Sequence, residues 1–208
     1  MLGLTVFYDT GAGGQFLSGA IATALGDVVA PFTFELKEKD RKGTDLKNRN
    51  RWFFNTKQKD FKEDKINVIV NDACHKPLEY ITPEPFSRVV TVKIECNTLW
   101  ELSMIYFNRH IKNNPDSDPT RYMTDFFDLK RPPQVNFDIQ FEKDCERMSF
   151  NVIFPYRAFY DTELQKQFCE SIESNLSKTI DRDMFSKLCR QFVVSNQQIY
   201  NQYLIKDF

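Results

Sequence analysis

Long apolar runs are missing from this sequence, and none approaches the roughly 20 residues that a helix needs to cross a bilayer. The first residues also lack the basic and apolar segments of a secretory signal peptide. Histidine occurs only twice and none of the five cysteines forms a CxxC pair, which disfavours a structural zinc site. Lys+Arg number 28 against 29 Asp+Glu, so the basic excess typical of nucleic-acid-binding proteins is absent. These absences predict a cytoplasmic protein with reduced cysteines and no membrane, nucleic-acid or metal partner.

The apolar residues are instead spread over short segments typical of an α/β protein. Hydrophobic residues make up 41% of 208 residues, enough for one substantial core, so we expect a single domain over residues 1–208. Continuous β-branched runs of this kind are found in parallel strands that are covered on both faces. We therefore expect a central parallel sheet flanked by helices. The predicted strands cover residues 4–8, 66–70, 88–94 and 149–154.

Helical spacing of apolar residues accounts for much of the remaining chain. Asp161 or Thr162 and then Asp181 are suitable N-caps for the last two predicted helices. Residues 35–65 differ, because charged and amide residues dominate there around Trp52. We interpret this segment as a helical or loop excursion over the surface, anchored by its aromatic residues. The predicted helices cover residues 16–25, 98–111, 122–129, 162–176 and 181–203.

A glycine-rich loop joins the first predicted strand to the first predicted helix. Glycines permit positive φ and let backbone N–H groups converge on an anion, and a helix amino terminus adds partial positive charge. The same pattern is also compatible with a plain strand-to-helix turn. We interpret the loop as a candidate phosphate site, since ligands of parallel sheets bind at the carboxyl ends of the strands. The loop consists of Thr10, Gly11, Ala12, Gly13, Gly14 and Gln15.

The loop matches neither of the common nucleotide-binding motifs. Phe16 and Leu17 stand where GxxxxGK[ST] has its lysine and hydroxyl residue, and Phe16 also replaces the last glycine of GxGxxG. A kinase needs such a cation to neutralise charge on the transferring phosphoryl group. The sequence therefore predicts a three-layer fold like that of the P-loop NTPases, with a phosphate ligand other than ATP.

Residues 68–110 narrow the choice of function. The segment CHKP, which contains His75, follows a predicted strand, and a second strand leads into a helix with Ser103 on its first turns. This order resembles the cytosolic sulfotransferases and their relatives, in which a threonine-histidine-x-proline segment supplies the catalytic base and a later serine binds the 3′-phosphate of the cofactor. The resemblance runs intermittently from residue 4 to about residue 200, including the carboxyl-terminal third.

The resemblance implies a sulfotransferase that moves a sulfuryl group from 3′-phosphoadenosine 5′-phosphosulfate (PAPS) to a hydroxyl or amine acceptor. The acceptor would be a small molecule or a glycan, and no metal would be required. By the same resemblance, His75 is the base, Ser103 binds the 3′-phosphate, and the backbone amides of the glycine-rich loop hold the 5′-phosphosulfate. Adenosine 3′,5′-bisphosphate, the product form of the cofactor, would bind at the same place.

Several positions depart from the sulfotransferase pattern. Glu95 stands where the family has a phosphate-binding arginine, and a carboxylate there repels a phosphate. Lys93, two residues earlier on the same strand, is a candidate substitute. The pair Tyr156-Arg157 replaces a tyrosine–glutamate pair. The family's loop lysine and its final glycine-rich basic segment have no counterpart.

Two other functions remain open. Asp72, just after the second predicted strand, would bind magnesium in a nucleotide or small-molecule kinase. A non-catalytic binding or assembly protein of the same fold would account for all the departures together. The cations of residues 37–51, with Trp52, form either a lid over an anionic cofactor or a solvated face with an aromatic anchor. His110 is interpreted as a helix-end residue whose charge complements the dipole.

Overall fold

The computed structural model describes residues 1–8, 12–39, 49–69, 85–96, 101 and 145–204 of the chain. The described strands are β1 (Leu2–Phe7), β2 (Thr33–Lys39), β3 (Arg49–Asn55), β4 (Ile66–Ile69), β5 (Arg88–Glu95) and β6 (Val152–Pro155). The described helices are α1 (Gly14–Leu25), α2 (Thr162–Leu176) and α3 (Arg182–Leu204). Short 3₁₀ helices cover Gly26–Val28, Gln58–Asp60 and Tyr156–Phe159.

Four of the strands form a parallel sheet in the order β4–β1–β5–β6. β1 is a central strand, because Leu4 pairs with Val68 on one side and with Val90 on the other. The chain adds β4 on one side of β1 and then crosses over to add β5 on the other side. The predicted α/β class, with a parallel sheet flanked by helices, is confirmed.

Helix α1 is buried almost all round its circumference, with only Gln15 and Thr23 at intermediate exposure. Its two hydroxyl side chains donate to carbonyls one turn back, Ser18 to Gly14 O at 2.9 Å and Thr23 to Gly19 O at 2.8 Å. These hydrogen bonds satisfy the hydroxyl donors inside the helix. An apolar helix of this kind needs cover on every side, and the sheet, the β2–β3 ribbon and α3 provide it.

Helix α3 runs antiparallel to α1 and contacts it at both ends. The N–H of Asp181 donates to Ala24 O at 2.8 Å, and its carboxylate caps α3 by accepting from the N–H of Met184 at 2.9 Å. At the other end, Phe192 lies 2.9 Å from the position that a Cβ on Gly13 would occupy. The part of α3 that follows Phe192 therefore extends beyond the amino terminus of α1.

The two faces of the sheet have different cover. Leu4 and Val6 of β1 join the large core that includes residues of α1, α2 and α3. Phe7 points to the opposite face, since successive strand residues alternate. There it packs with Cys145 and with Phe150, whose ring centroid is 5.5 Å away. The described helices thus cover one face, and residues 145–150 contribute to the cover of the other.

Most of the predicted elements that fall within the described residues are confirmed. The first three predicted strands, the first helix and the last two helices have bounds within about two residues of the expected ones. Asp161 is the N-cap of α2 and accepts from the N–H groups of Glu163 and Leu164. The predicted helix over 98–111 lies outside the described residues except for Glu101, which is helical, and the helix over 122–129 lies entirely outside them.

Two predictions differ from the structure. Of the segment predicted as a helical or loop excursion, residues 35–39 and 49–55 instead belong to β2 and β3, which form an antiparallel ribbon. Phe34 pairs with Phe54, and Leu36 with Trp52, so alternation places these four apolar residues on one face. Phe34 and Trp52 of this face pack on Phe16 of α1, whereas Leu36 is exposed. The last strand begins at Val152 and not at residue 149. The residue before it, Asn151, instead accepts from the N–H of Thr91 through its side chain at 2.9 Å.

The contact between Gly14 and Tyr8 gives a test of the packing around α1. A Cβ atom on Gly14 would overlap the Tyr8 ring. We expect Gly14→Ala to lower the free energy of unfolding by about 1–3 kcal/mol, the usual cost of overpacking a core, as measured by urea denaturation. In a Tyr8→Leu background the same substitution should cost much less. An equal cost in both backgrounds would contradict this contact.

Candidate functional site

The carboxyl end of β1 is the point at which the strand order reverses, because β1 lies between β4 and β5. In open parallel sheets the connections on the two sides of such a point separate and leave a crevice for a ligand. The chain passes from β1 into α1 here. Of this connection the structure describes Tyr8, Ala12 and Gly13, and Ala12 is buried.

Gly13 directs the chain into α1. Its φ of 81° and ψ of 22° lie in the left-handed region, which glycine adopts without the strain that other residues incur. Its carbonyl accepts the first bond of the helix, from the N–H of Leu17 at 2.9 Å. The N–H groups of residues 14–16 therefore have no acceptor inside the helix. Gly13 makes no side-chain cap, and the positive end of the helix dipole lies at this end of α1.

Aromatic rings occupy the side-chain directions of the two glycines at this helix end. A Cβ on Gly13 would lie 2.9 Å from Phe192 and 3.4 Å from Phe159, and a Cβ on Gly14 would overlap Tyr8. Close packing of aromatic rings is therefore one reason why positions 13 and 14 require glycine. This packing does not block the first N–H groups of α1, because the N–H bonds of a helix point along its axis and not in the side-chain directions.

Phe16 is the centre of an aromatic cluster below the helix end. Its ring stacks on Phe192 at 4.5 Å, and it also contacts Phe34, Trp52 and Phe159 at 5.8, 5.3 and 5.9 Å. Trp52 in turn stacks on Phe34 at 4.8 Å with an interplanar angle of 27°. The protein's own ring thus covers one face of the indole, which favours the aromatic-anchor interpretation of Trp52 over stacking on a nucleotide base.

Two buried side-chain donors near this cluster have no acceptor among the described residues. They are Nε1 of Trp52 and Nδ2 of Asn196. Asn196 follows Phe192 by one helical turn, so it lies on the same side of α3, past the amino end of α1. A buried N–H without a partner costs about 1–3 kcal/mol, and such groups normally serve a ligand or an ordered water. Trp52 packs on Phe16 in the first turn of α1, and Asn196 lies one turn after Phe192, which stacks on the same ring.

Sequence analysis did not single out Asn196, although a signal for its buried amide was present. Phe185, Cys189 and Phe192 are buried and spaced at four and three residues along α3. Asn196 continues this spacing, so an amide falls on the apolar face of the helix. A polar residue on a buried face indicates a binding site better than an exposed polar residue does. Burying a polar group costs free energy unless that group forms a hydrogen bond.

Lys93 lies at the same end of the sheet but on the face opposite α1. It is the register partner of Phe7, the last residue of β1. Its Nζ is 6.0 Å from the ring centroid of Phe150, which packs against Phe7. Glu95 follows two positions later and therefore shares this face, as the sequence predicts. A ligand group held by Lys93 would accordingly lie across the sheet edge from the amino end of α1.

The pair Tyr156-Arg157 is divided between the core and the surface. Tyr156 is fully buried and contacts Phe159 edge-on at 5.4 Å. Burial raises the pKa of the neighbouring Tyr160, and a hydrogen bond from Tyr156 opposes that shift. Arg157 is exposed and lies 4.0 Å from Asp161. Tyr156 is therefore a core residue here.

Four cysteines fall within the described residues, and none of the four forms a disulfide. Burial raises the pKa of the Cys169 thiol to about 12, and it also raises the pKa of Cys189. Both groups are protonated at neutral pH and are poor nucleophiles. Among the residues that the structure describes, no three His, Cys, Asp or Glu side chains lie together as a metal site.

Several predicted site residues lie outside the described residues. They are Thr10, Gly11, Asp72, His75, Ser103 and His110. Of the predicted loop the structure describes Ala12, Gly13, Gly14 and Gln15, and Trp52 and Phe192 pack on Phe16, the next residue.

A comparison of this chain with known proteins gives no match to a family model, to a curated protein or to a solved structure. None of the described helices is long and apolar enough to cross a membrane. The resemblance to sulfotransferases therefore stays a prediction, and the geometry at the end of α1 is the main guide to function.

The unpaired amide of Asn196 predicts an unusual response to mutation. We expect Asn196→Ala to leave the free energy of unfolding unchanged or higher, because the buried Nδ2 loses no partner and alanine favours the helix. Asn67→Ala is the matched control. Its amide group donates to three backbone carbonyls and accepts from the N–H of Lys62, so its loss should cost about 2–4 kcal/mol. Equal losses in urea denaturation would show that Asn196 is structural.

Proposed function

We propose that this chain is a sulfotransferase-like enzyme that transfers a sulfuryl group from PAPS to a hydroxyl or amine acceptor. The observation that supports the proposal is the set of donors at the amino end of α1. It comprises the start of α1 after the left-handed Gly13, and the buried, unpaired N–H groups of Trp52 and Asn196 are carried by residues close to its first turn. It lies where the strand order reverses, the usual ligand position in parallel sheets.

The donor set fits an anionic phosphosulfate. Every group in it is an N–H that can only donate, and the helix dipole favours negative charge at this end. Tyr8, Phe192 and Phe159 pack around the two glycines, so aromatic rings form part of their surroundings. A low local dielectric strengthens these interactions, which lets backbone amides act without the loop lysine of other phosphate sites.

Each side chain then has a defined task. When bound, PAPS supplies the activated sulfuryl group. The amides at the start of α1 stabilise negative charge that develops on the phosphosulfate bridge, in the manner of an oxyanion hole. His75 takes the proton from the acceptor hydroxyl, and Ser103 donates to the 3′-phosphate. Lys93 would add charge from the far side of the sheet edge.

A magnesium-dependent nucleotide or small-molecule kinase is the second candidate. The observation that favours it is the position of β4, which lies directly beside β1. A residue just after β4, as Asp72 is, would therefore follow a strand whose end adjoins the glycine-rich loop. The loop still lacks a lysine for the transferring phosphoryl group. A non-catalytic binding or assembly protein is the third candidate, because packing against aromatic rings gives one reason for Gly13 and Gly14 without a ligand.

Ligand-induced stabilisation separates these three functions. We expect adenosine 3′,5′-bisphosphate at 100 times its dissociation constant to stabilise the fold by about 2.7 kcal/mol, seen as a rise in melting temperature. ATP with magnesium should give a much smaller rise, and Asn196→Ala should weaken the response to the bisphosphate. A rise with magnesium-ATP alone would favour the kinase. No rise with either ligand would favour the non-catalytic protein.

His75 provides the test of the transfer step itself. We expect His75→Ala to reduce sulfuryl transfer by about 10²–10⁴-fold, the usual contribution of a general base, while the bisphosphate binds as before. His110→Ala is the matched control and should keep its activity. Turnover would be followed with radiolabelled sulfate in PAPS against a panel of hydroxyl and amine acceptors. Undiminished transfer by His75→Ala would rule out this histidine as the base.

A further inference from the structure

Helix α3 is anchored to the rest of the fold by the side chains of its first half. The start of the helix is held by Arg182, whose guanidinium pairs with Glu173 of α2 at 2.6 Å. The buried apolar side chains among its described residues are Phe185, Leu188, Cys189 and Phe192. Beyond them, Val193 packs only partly against the core and Val194 is 53% exposed. The described packing of α3 therefore weakens sharply after Phe192.

The second half of α3 also extends past the helix on which the first half packs. Asp181 donates to Ala24 near the carboxyl end of α1, and Phe192 lies 2.9 Å from the position of a Cβ on Gly13, at the amino end. Since α3 continues to Leu204, about 12 residues follow Phe192, a length of about 18 Å. We call residues 193–204 the overhang. It begins at the end of α1 that carries the candidate site.

Two polar side chains weaken the overhang where it begins. The hydroxyl of Ser195 donates to Phe192 O at 2.9 Å, a carbonyl that the helical pattern also pairs with the N–H of Asn196. Side-chain bonds of this kind to the preceding turn slightly destabilise a helix and often bend it. The buried Nδ2 of Asn196 has no acceptor among the described residues. Docking the overhang therefore removes this donor from water without replacing its hydrogen bond, which costs free energy.

We propose that the overhang is a hinged cover, which undocks as one unit about the turn at residues 192–196 and thereby opens the amino end of α1. Undocking lets water hydrate the Asn196 amide, while Phe192 stays in the core as the last anchor. A helix of about 12 residues is marginal in water on its own. The undocked overhang therefore unfolds, and its amides share one opening free energy. The role of the cover in admitting an anion rests on the proposed function, whereas the hinge itself does not.

The experiment is native-state hydrogen exchange of the backbone amides of the full chain, followed by NMR at low concentrations of urea. We expect residues 185–192 to exchange through global unfolding, with a strong dependence on urea. The overhang should exchange about 100-fold faster or more, with similar protection at all its amides and a weaker dependence on urea, because local opening exposes less surface. Protection that declines smoothly from residue 192 to residue 204 would indicate ordinary fraying of a helix end and would overturn the proposal. Protection of the overhang equal to that of residues 185–192 would also overturn it.

The substitution Asn196→Ala tests the cause of the opening. We expect the overhang of this variant to exchange about 20-fold more slowly than that of wild type, because the docked state no longer buries an unpaired N–H and alanine favours the helix. Val194→Ala is the matched control, since valine and asparagine have similar helix propensities and Val194 is exposed. It should slow exchange by only about threefold. Equal slowing in both variants, or faster exchange in Asn196→Ala, would contradict the proposed hinge.

The covering role is tested by repeating the exchange measurement on the wild-type protein with saturating adenosine 3′,5′-bisphosphate. A ligand enclosed by the docked overhang should slow the exchange of the overhang about tenfold or more. If the bisphosphate raises the melting temperature but leaves the exchange of the overhang unchanged, the overhang does not cover the site and the proposal fails. If the protection step is present and the bisphosphate does not bind, the hinge stands and the proposed cofactor fails.

Discussion

The burial of Phe16 at the first turn of α1 is the constraint on which the rest of the structure depends. Its ring contacts Phe192 of α3, Trp52 and Phe34 of the ribbon, and Phe159 before α2. Removing a buried phenylalanine from a core generally costs about 3–5 kcal/mol. One side chain therefore contacts α3, the ribbon and the turn before α2 around the candidate site.

The same constraint explains why glycines and donors occur together at the end of α1. Aromatic rings approach the helix so closely that Gly13, Gly14 and Gly19 have no room for a Cβ without some displacement of these rings. The N–H groups of Trp52 and Asn196 are buried and unpaired close to this aromatic cluster. A donor in such surroundings gains more from an anion than it would in water. Packing and anion binding thus make compatible demands on the same residues.

The ribbon shows which features can be predicted from the sequence and which cannot. The cations of residues 37–51 are evident from the sequence, but composition does not reveal which of them oppose each other. A shift of register by one residue would exchange the two faces of a strand. Only the pairing of Phe34 with Phe54 sets Lys37 against Arg51. The segment was predicted as a helical or loop excursion because its charged residues obscure the alternation of its four apolar ones.

The sequence by itself determined the parallel strands, the helices next to them and their caps, because continuous apolar runs, 3.6-residue spacing and residues such as Asp161 act locally. It also marked the glycine-rich turn after β1. Tertiary structure alone decided that Asn196, some 180 residues later in the chain, lies past the first turn of α1, and that Lys93 lies on the other face of the sheet. Such proximity follows from the packing of α3 on α1 and from strand register, which depend on contacts between distant segments and leave only a faint trace in local sequence.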